Sequence, residues 1–256
     1  MKNAINYTRS GSGKKLLFHH GLGADLSQAL RLFEGFEEID LICPDALGHG
    51  ESLYSESFPP SFTQYSNDVI EVLNKEGIEN CILGGISMGS GISLNIALRF
   101  PERVKGLILV RPAWLDKEKP ANLEILLNIA EIINHPTGKT RFENSDEFLA
   151  IQKVLPRAAS SIMGQFSRVQ GNHTSEVLNH MVNDKPFDQM SDLAILNIPT
   201  LVIGNDDDPL HPWDMAEAIH QAIPTSKLVK VISRYKDDLQ HKKEAQAAIA
   251  AFLDTL

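Results

Sequence analysis

The sequence has little of what a secreted, membrane-spanning or disulfide-stabilised protein needs. Its 256 residues contain only two cysteines, and Cys43 and Cys81 each lie in an apolar run that predicts a buried strand. We therefore expect two small core residues rather than a disulfide. The N-terminal segment has no apolar stretch typical of a signal peptide, and no run of about 18 apolar residues occurs anywhere. The sequence thus predicts a cytoplasmic protein with no membrane partner.

Positive charge is also scarce. The formal net charge is -9 at pH 7, and no block rich in Lys or Arg interrupts the chain. An acidic surface repels phosphate backbones, so nucleic acid is a poor partner and a small-molecule ligand is expected. With 43% hydrophobic and 22% charged residues, the composition is typical of a packed globular protein.

Short β-rich apolar runs alternate with helical patterns along most of the chain. Each run is nearly continuous rather than alternating, which is typical of strands in a parallel sheet that helices cover on both faces. The sequence therefore predicts an α/β fold with a mostly parallel sheet. The six runs are 16–19, 41–43, 81–83, 107–110, 200–203 and 228–232.

The alternation stops between Val110 and Thr200. This stretch contains one helical pattern after another, including NLEILLNIAEII and SEVLNHMVN, and no convincing strand. Proline brackets the stretch at positions 112 and 199, and the sheet pattern then resumes. A second small domain would also give this pattern, but we expect a helical cap at 112–192 inserted into a core formed by 1–111 and 193–256.

The segment GGISMGSG joins a predicted strand to a predicted helix and places Ser87 between Gly85 and Gly89. A nucleophile on a tight strand-to-helix turn needs small neighbours, because the turn crowds the positions two before and two after it. The helix N-terminus and the Met88 N–H would favour a developing oxyanion. Ser87 is therefore the predicted nucleophile, whereas the alternative is a glycine-rich turn with a solvated serine.

A serine hydroxyl needs a base, which is normally a histidine oriented by a carboxylate. Of the nine histidines, position along the chain leaves His211 and His241 as candidates. His241 follows the last predicted strand and opens the final helix, at the edge where a base could reach Ser87. His211 lies three residues after Asp208 and would have to fold back towards Ser87.

Several segments in order resemble the α/β-hydrolase family almost from end to end: HHGLG, PDALGHGES, GGISMGSGISLNIALRFPERVKGLILV, PTLVIGNDDDPLHP and then a late histidine. The resemblance implies the α/β-hydrolase fold and a Ser–Asp–His order of nucleophile, acid and base, with Ser87 and His241 at its ends. It also implies that the Leu22 N–H is the second oxyanion donor beside Met88. Many members have glycine directly before the histidine, where this chain has Gln240.

Three consecutive aspartates, 206–208, compete for the position of the acid. The family pattern ends with an aspartate, a proline and another proline three residues later, which selects Asp208, whereas counting from Gly204 selects Asp207. We favour Asp208 because Pro209 and Pro212 fix the register, and Asp207 stays open as the alternative. Consecutive carboxylates project in different directions and lack the spacing of a calcium loop, so no metal is expected.

The cap and the first loop are expected to select the substrate. Apolar candidates for the pocket are Leu22, Trp114, Met163, Phe166 and Met181, although each of them would also fit an ordinary core. Arg111 ends a predicted strand at the catalytic edge. It could anchor a substrate carboxylate, but pairing with a cap carboxylate such as Asp116 or Glu118 is the favoured role.

The sequence therefore predicts a cofactor-free serine hydrolase that cleaves a small ester or related carbonyl substrate through an acyl-enzyme at Ser87. Carbon–carbon bond hydrolysis of ring-cleavage products and cofactor-free perhydrolysis would use the same three residues, so both stay open. A non-catalytic protein that keeps the fold and binds a small molecule is the alternative of another class.

Overall fold

A seven-stranded sheet forms the centre of the protein, in the order β1-β3-β2-β4-β5-β6-β7. The computed structural model describes residues 5–168 and 173–256. All strand pairs are parallel except β1 with β3, which confirms the mostly parallel sheet. The strands are β1 (Tyr7–Gly11), β2 (Lys14–His19), β3 (Ile39–Pro44), β4 (Cys81–Ile86), β5 (Val104–Val110), β6 (Thr200–Gly204) and β7 (Ser226–Lys230).

Ten α-helices are found among the described residues. They are α1 (Leu26–Leu32), α2 (Phe62–Lys75), α3 (Met88–Arg99), α4 (Glu124–Ile132), α5 (Gly138–Glu143), α6 (Asp146–Val154), α7 (Pro156–Met163), α8 (Thr174–Val182), α9 (Trp213–Ala222) and α10 (Asp238–Leu253). Short 3-10 helices add Pro101–Arg103, Ala121–Leu123, Gly164–Ser167 and Met190–Ile195.

Both faces of the sheet are buried, and neighbouring residues of one strand serve opposite faces. In β2, Leu16 and Phe18 belong to a core that includes residues of α1 and α10. Leu17 belongs to the larger core, which includes residues of α2, α3 and α9. This two-sided burial explains why the strands read as continuous apolar runs.

Helices α4 to α8 all lie between β5 and β6, and the described residues of this stretch form no strand. Several of their apolar residues, among them Leu126 and Phe142, join the larger core, so the stretch packs on the sheet domain. The division into a core and a cap at 112–192 stays a prediction. Within the described ranges, no helix combines the length and apolar character needed to cross a membrane.

Candidate active site

Ser87 occupies the tight turn between β4 and α3, with φ of 57° and ψ of -111°. A Cβ on Gly85 would lie 2.3 Å from the carbonyl carbon of Gly89, and a Cβ on Gly89 would lie 2.7 Å from the His19 Cβ. Such approaches are too close for any side chain, so the turn requires both glycines. The turn holds the Ser87 side chain at the carboxyl edge of the sheet.

A histidine does stand beside this serine, and it is His211. Its Nε2 lies 2.9 Å from Ser87 Oγ, and its Nδ1 lies 2.9 Å from Asp208 Oδ1. The three side chains are all buried. The structure thus brings Ser87, His211 and Asp208 into one hydrogen-bonded chain, which is the arrangement that activates a serine hydroxyl.

The short turn after β6 explains how an acid and a base only three residues apart can cooperate. Asp208 Oδ1 accepts hydrogen bonds of 3.2 Å from the backbone N–H groups of Leu210 and His211. The His211 N–H also approaches the Asp208 carbonyl oxygen at 3.2 Å. Asp208 therefore caps its own turn, which directs the His211 ring back across the carboxylate and towards Ser87.

The prediction that His241 is the histidine beside Ser87 is wrong. His241 lies in the first turn of α10, which begins after the cap residue Asp237, and its Nδ1 donates to the Ile232 carbonyl oxygen at 2.7 Å. That hydrogen bond directs the ring towards its own loop. Burial, reinforced by the positive charge of Arg111, lowers the pKa of His241 to about 4.

The three aspartates of the β6–α9 turn have different partners. Asp206 pairs with Lys230 at 2.5 Å, and Asp207 pairs with Lys236. Asp207 also has a positive φ of 53°, an uncommon backbone conformation for a residue with a side chain. Only Asp208 of the three contacts a histidine. No group of His, Cys, Asp or Glu side chains that could hold a metal ion occurs among the residues described.

Arg111 completes the hydrogen bonding of the acid. Its guanidinium lies 3.2 Å from Asp208 Oδ2, and both side chains are buried. The expected pairing with Asp116 or Glu118 is wrong, because Asp208 is the closer carboxylate at the sheet edge, while Asp116 accepts from the Met190 N–H.

The electrostatics of this group suit a base and its orienting acid. Burial alone would raise the pKa of Asp208, but His211, Arg111 and the Leu210 N–H outweigh it and hold that pKa below the ordinary value. Burial lowers the pKa of His211 despite the opposing effect of Asp208. His211 is therefore neutral at neutral pH, which is the form that accepts a proton.

The backbone segments predicted to bind an oxyanion both lie near Ser87. A Cβ on Gly21 would lie 3.4 Å from the Ser87 Cβ, so the loop that carries Leu22 packs against the serine. The Gly21 N–H donates to Gln28 Oε1 at 2.8 Å, which fixes this loop. Met88 is the first residue of α3, where a backbone N–H has no carbonyl acceptor within the helix.

A small cavity of about 80 Å³ opens beside Ser87 and His211. Of the predicted pocket residues, Leu22, Trp114 and Arg111 line it. The remaining three contribute to the core instead: Met163 and Phe166 pack against it, and Met181 is fully buried. Other lining residues were not predicted from the sequence, and they include Gln28, Ser161, Gln165, Arg234 and Tyr235.

A model of the alpha/beta hydrolase fold family matches residues 14–243. The chain belongs to the α/β-hydrolase fold family. It is a hydrolase, as its relatives of this family are.

Relatives of this α/β hydrolase include a lipase 3 from Moraxella sp. (strain TA144), 27% identical over 223 residues that span 85% of this chain and 70% of the relative. A 2-hydroxymuconate semialdehyde hydrolase from Pseudomonas sp. (strain CF600) is 38% identical over 117 residues, 42% of this chain and 40% of that protein. The solved structure of a thermophilic esterase from Thermogutta terrifontis has the same fold, with a TM-score of 0.75, 23% identity and coverage of 98% and 93% of the two chains.

Proposed function

We propose that this hydrolase cleaves a small carboxylic ester through an acyl-enzyme at Ser87, with His211 as general base and Asp208 as the orienting acid. The observation that carries the proposal is the hydrogen-bonded chain from Ser87 Oγ through His211 to Asp208, with 2.9 Å at each step. His211 thus takes the role that the sequence predicted for His241, whereas Ser87 and Asp208 keep their predicted roles.

The first half of the reaction forms the acyl-enzyme. Ser87 Oγ attacks the ester carbonyl carbon while its proton passes to His211 Nε2, and the carbonyl oxygen becomes an oxyanion. Asp208 stabilises the resulting imidazolium. When the intermediate collapses, the bond to the alcohol oxygen breaks, and His211 returns the proton to that leaving group.

The second half repeats these steps with water. His211 removes a proton from the water, the hydroxide attacks the acyl carbon, and Ser87 leaves with the proton that His211 then donates. In both halves the Leu22 and Met88 N–H groups bind the oxyanion. Two observations support this role of the N–H groups: Gly21 packs on Ser87, and the N–H of Met88 is the first of α3 and has no acceptor within the helix.

The size of the cavity supports a small acyl or alcohol group. About 80 Å³ accommodates only a small group directly beside the serine, and Trp114, Leu126 and Gln165 of the 112–192 stretch form part of its wall. We therefore assign that stretch as the cap that selects the substrate. The names of the lipase relatives support an ester rather than another carbonyl compound.

Two measurements with matched serine variants test this proposal. We expect a fluorophosphonate probe to label the wild-type protein and Ser160→Ala, whose serine is exposed on α7, but not Ser87→Ala. The rate of 4-nitrophenyl acetate hydrolysis should fall at least about 10³-fold in Ser87→Ala. Absence of labelling, with hydrolysis no faster than in Ser87→Ala, would favour the non-catalytic binding protein.

A second candidate function is hydrolysis of a carbonyl compound that is not an ester. The 38% identity to a semialdehyde hydrolase over 117 residues favours it. Measuring kcat/KM for 2-hydroxymuconate semialdehyde beside that for 4-nitrophenyl acetate distinguishes the two. A larger kcat/KM for the semialdehyde would favour the second candidate function over ester hydrolysis.

A further inference from the structure

A second cavity of about 340 Å³ adjoins the Ser87 cavity. Residues of α1 and α10 form its walls, and the ends of β4 and β5 contribute Ile86 and Val110. Both cavities are lined by Gln28, Ile86, Arg111 and Arg234. The second cavity therefore adjoins the Ser87 cavity at the carboxyl edge of the sheet.

The second cavity carries an excess of positive charge, although the whole chain has a formal net charge of -9. Four cationic side chains and two carboxylates line it. Both carboxylates are already paired: Lys242 with Glu34 at 2.6 Å, and Arg234 with Asp238 at 3.6 Å. The other two cations are Arg31 and Arg111, of which Arg111 is paired at 3.2 Å with Asp208, a residue outside the lining of this cavity. A cationic cavity in an acidic protein raises the local concentration of anions.

Arg111 is built into this wall with unused hydrogen-bonding capacity. It follows β5 with a positive φ of 47°, and its backbone N–H donates to the Ile203 carbonyl oxygen at 2.7 Å. One guanidinium nitrogen contacts Asp208, whereas its buried Nε has no partner among residues 5–168 and 173–256. A guanidinium has five N–H donors in a planar fork that matches a carboxylate. The strained backbone and the unpartnered buried donor indicate a ligand-binding role.

Arg234 reaches the same space from the loop after β7. Its side chain is one-third exposed, and its contact with Asp238 is 3.6 Å, beyond hydrogen-bonding distance. It lines both cavities, so it lies between the serine and the second cavity. Together, Arg111 and Arg234 offer guanidinium groups from two different elements of the fold.

We propose that the second cavity binds a free carboxylate of the substrate, so that the preferred substrates are esters that also carry a carboxylate. This inference rests on the proposed ester hydrolysis at Ser87. Arg111 and Arg234 are the residues that determine this specificity. The carboxylate can belong to the acyl part or to the alcohol part of the ester, so substrates of both kinds are needed to test the inference.

The test compares anionic esters with neutral partners of the same shape. One pair is mono-4-nitrophenyl adipate and its methyl ester, and the other is 4-acetoxybenzoate and its methyl ester. We expect kcat/KM for the anionic member of at least one pair to exceed that of the neutral member by about tenfold or more, which is the effect of one charge-assisted hydrogen bond. Equal or lower values for both anionic members would overturn the inference.

Matched arginine variants assign the preference to the cavity. Arg234→Gln should lower the ratio of anionic to neutral kcat/KM about tenfold, mainly through KM. Arg141→Gln, which removes an exposed arginine on α5, should leave the ratio unchanged. A similar fall in both variants would show a general charge effect and contradict the assignment.

A binding measurement separates this inference from the proposed reaction. Titration calorimetry of Ser87→Ala with adipate requires no turnover, and we expect the Arg234→Gln change to weaken binding about tenfold in that background. If Ser87→Ala binds adipate but the wild-type protein cleaves no ester, the proposed carboxylate site is supported and the proposed ester hydrolysis is rejected. If the wild-type protein cleaves esters but Ser87→Ala does not bind adipate, the proposed ester hydrolysis is supported and the proposed carboxylate site is rejected.

Discussion

The loops after β6 and β7 both carry a buried histidine to the same edge of the sheet, but the two histidines have different environments. His211 lies between a serine and a carboxylate. His241 bonds to a backbone carbonyl of its own loop. A histidine can therefore be assigned as a base only from the contacts of its ring nitrogens. Closeness to the sheet edge and order along the chain are not sufficient to identify it.

The first loop can supply two partners because it is short and tightly fixed. Asp208 accepts from two backbone N–H groups of the turn and from Arg111, so its carboxylate is held from several directions. Pro209 and Pro212 restrict the backbone on both sides of the histidine. The loop after β7 contains no carboxylate in a comparable position, and Asp237 there caps α10 instead.

The aspartates of the first loop provide the largest test of this comparison. Asp208→Asn should lower kcat for 4-nitrophenyl acetate about 10⁴-fold, because an amide cannot stabilise the imidazolium or hold its tautomer. Asp207→Asn should cost less than about tenfold, since it removes only the surface pair with Lys236. A larger loss in Asp207→Asn would transfer the role of the acid to Asp207.

A smaller effect is expected from Arg111. Burial lowers the pKa of His211 against the opposing effect of Asp208, and the positive charge of Arg111 lowers it further, so His211 becomes protonated only at pH values below the ordinary histidine range. Activity should persist as pH falls to about 6.5 and decline below it, because only neutral His211 accepts the serine proton. In Arg111→Gln the decline should begin at higher pH, with kcat lowered by up to about 10²-fold through misplacement of Asp208.

The control for this pH profile is Arg111→Lys. It keeps the positive charge, so we expect the acid limb of kcat/KM to stay close to that of the wild type. An acid limb that is the same in wild type, Arg111→Gln and Arg111→Lys would show that this charge does not influence the base.

The smallest effect concerns stability and the second loop. The pKa of His241 is about 4 in the folded protein, below the usual value near 6.5, so between these values the unfolded chain binds more protons. Acidification from pH 7 to pH 5 therefore removes about 2 kcal/mol of stability through His241 alone. Urea unfolding should show this loss reduced in His241→Gln but unchanged in His180→Gln, an exposed control. Equal losses in all three proteins would contradict the buried neutral state of His241.

Much of the fold could be predicted because the same physical cause produces the sequence pattern and the structure. The parallel strands are covered on both faces, which leaves continuous apolar runs. The two edge strands are the exceptions. β1 (Tyr7–Gly11) is mostly exposed, so it has no apolar run to reveal it. β7 (Ser226–Lys230) has no buried residue, and its predicted run 228–232 lies two residues too late. The strand-to-helix turn at Ser87 could be predicted because its crowding permits only glycine at positions 85 and 89.

The position of His211 beside Ser87 could not be predicted, because its side-chain direction depends on the Asp208 turn rather than on any periodic pattern. Two signals were present: Asp208 and His211 lie three residues apart and each is followed by proline, and Gln240 stands where the resemblance to the family implies glycine. The prediction that the substrate pocket contains Met163, Phe166 and Met181 was wrong for a simpler reason. Apolar side chains in the helical stretch serve its own core as readily as a ligand cavity.

The most direct test of the account compares His211→Ala with His241→Ala in one assay of fluorophosphonate labelling rate, with thermal unfolding to verify that both variants fold. If His211 activates Ser87, its removal should slow labelling at least about 10³-fold, and removal of His241 should slow it less than about tenfold. The opposite result, with His241→Ala inactive and His211→Ala still labelled, would contradict the account and return the base to the loop after β7.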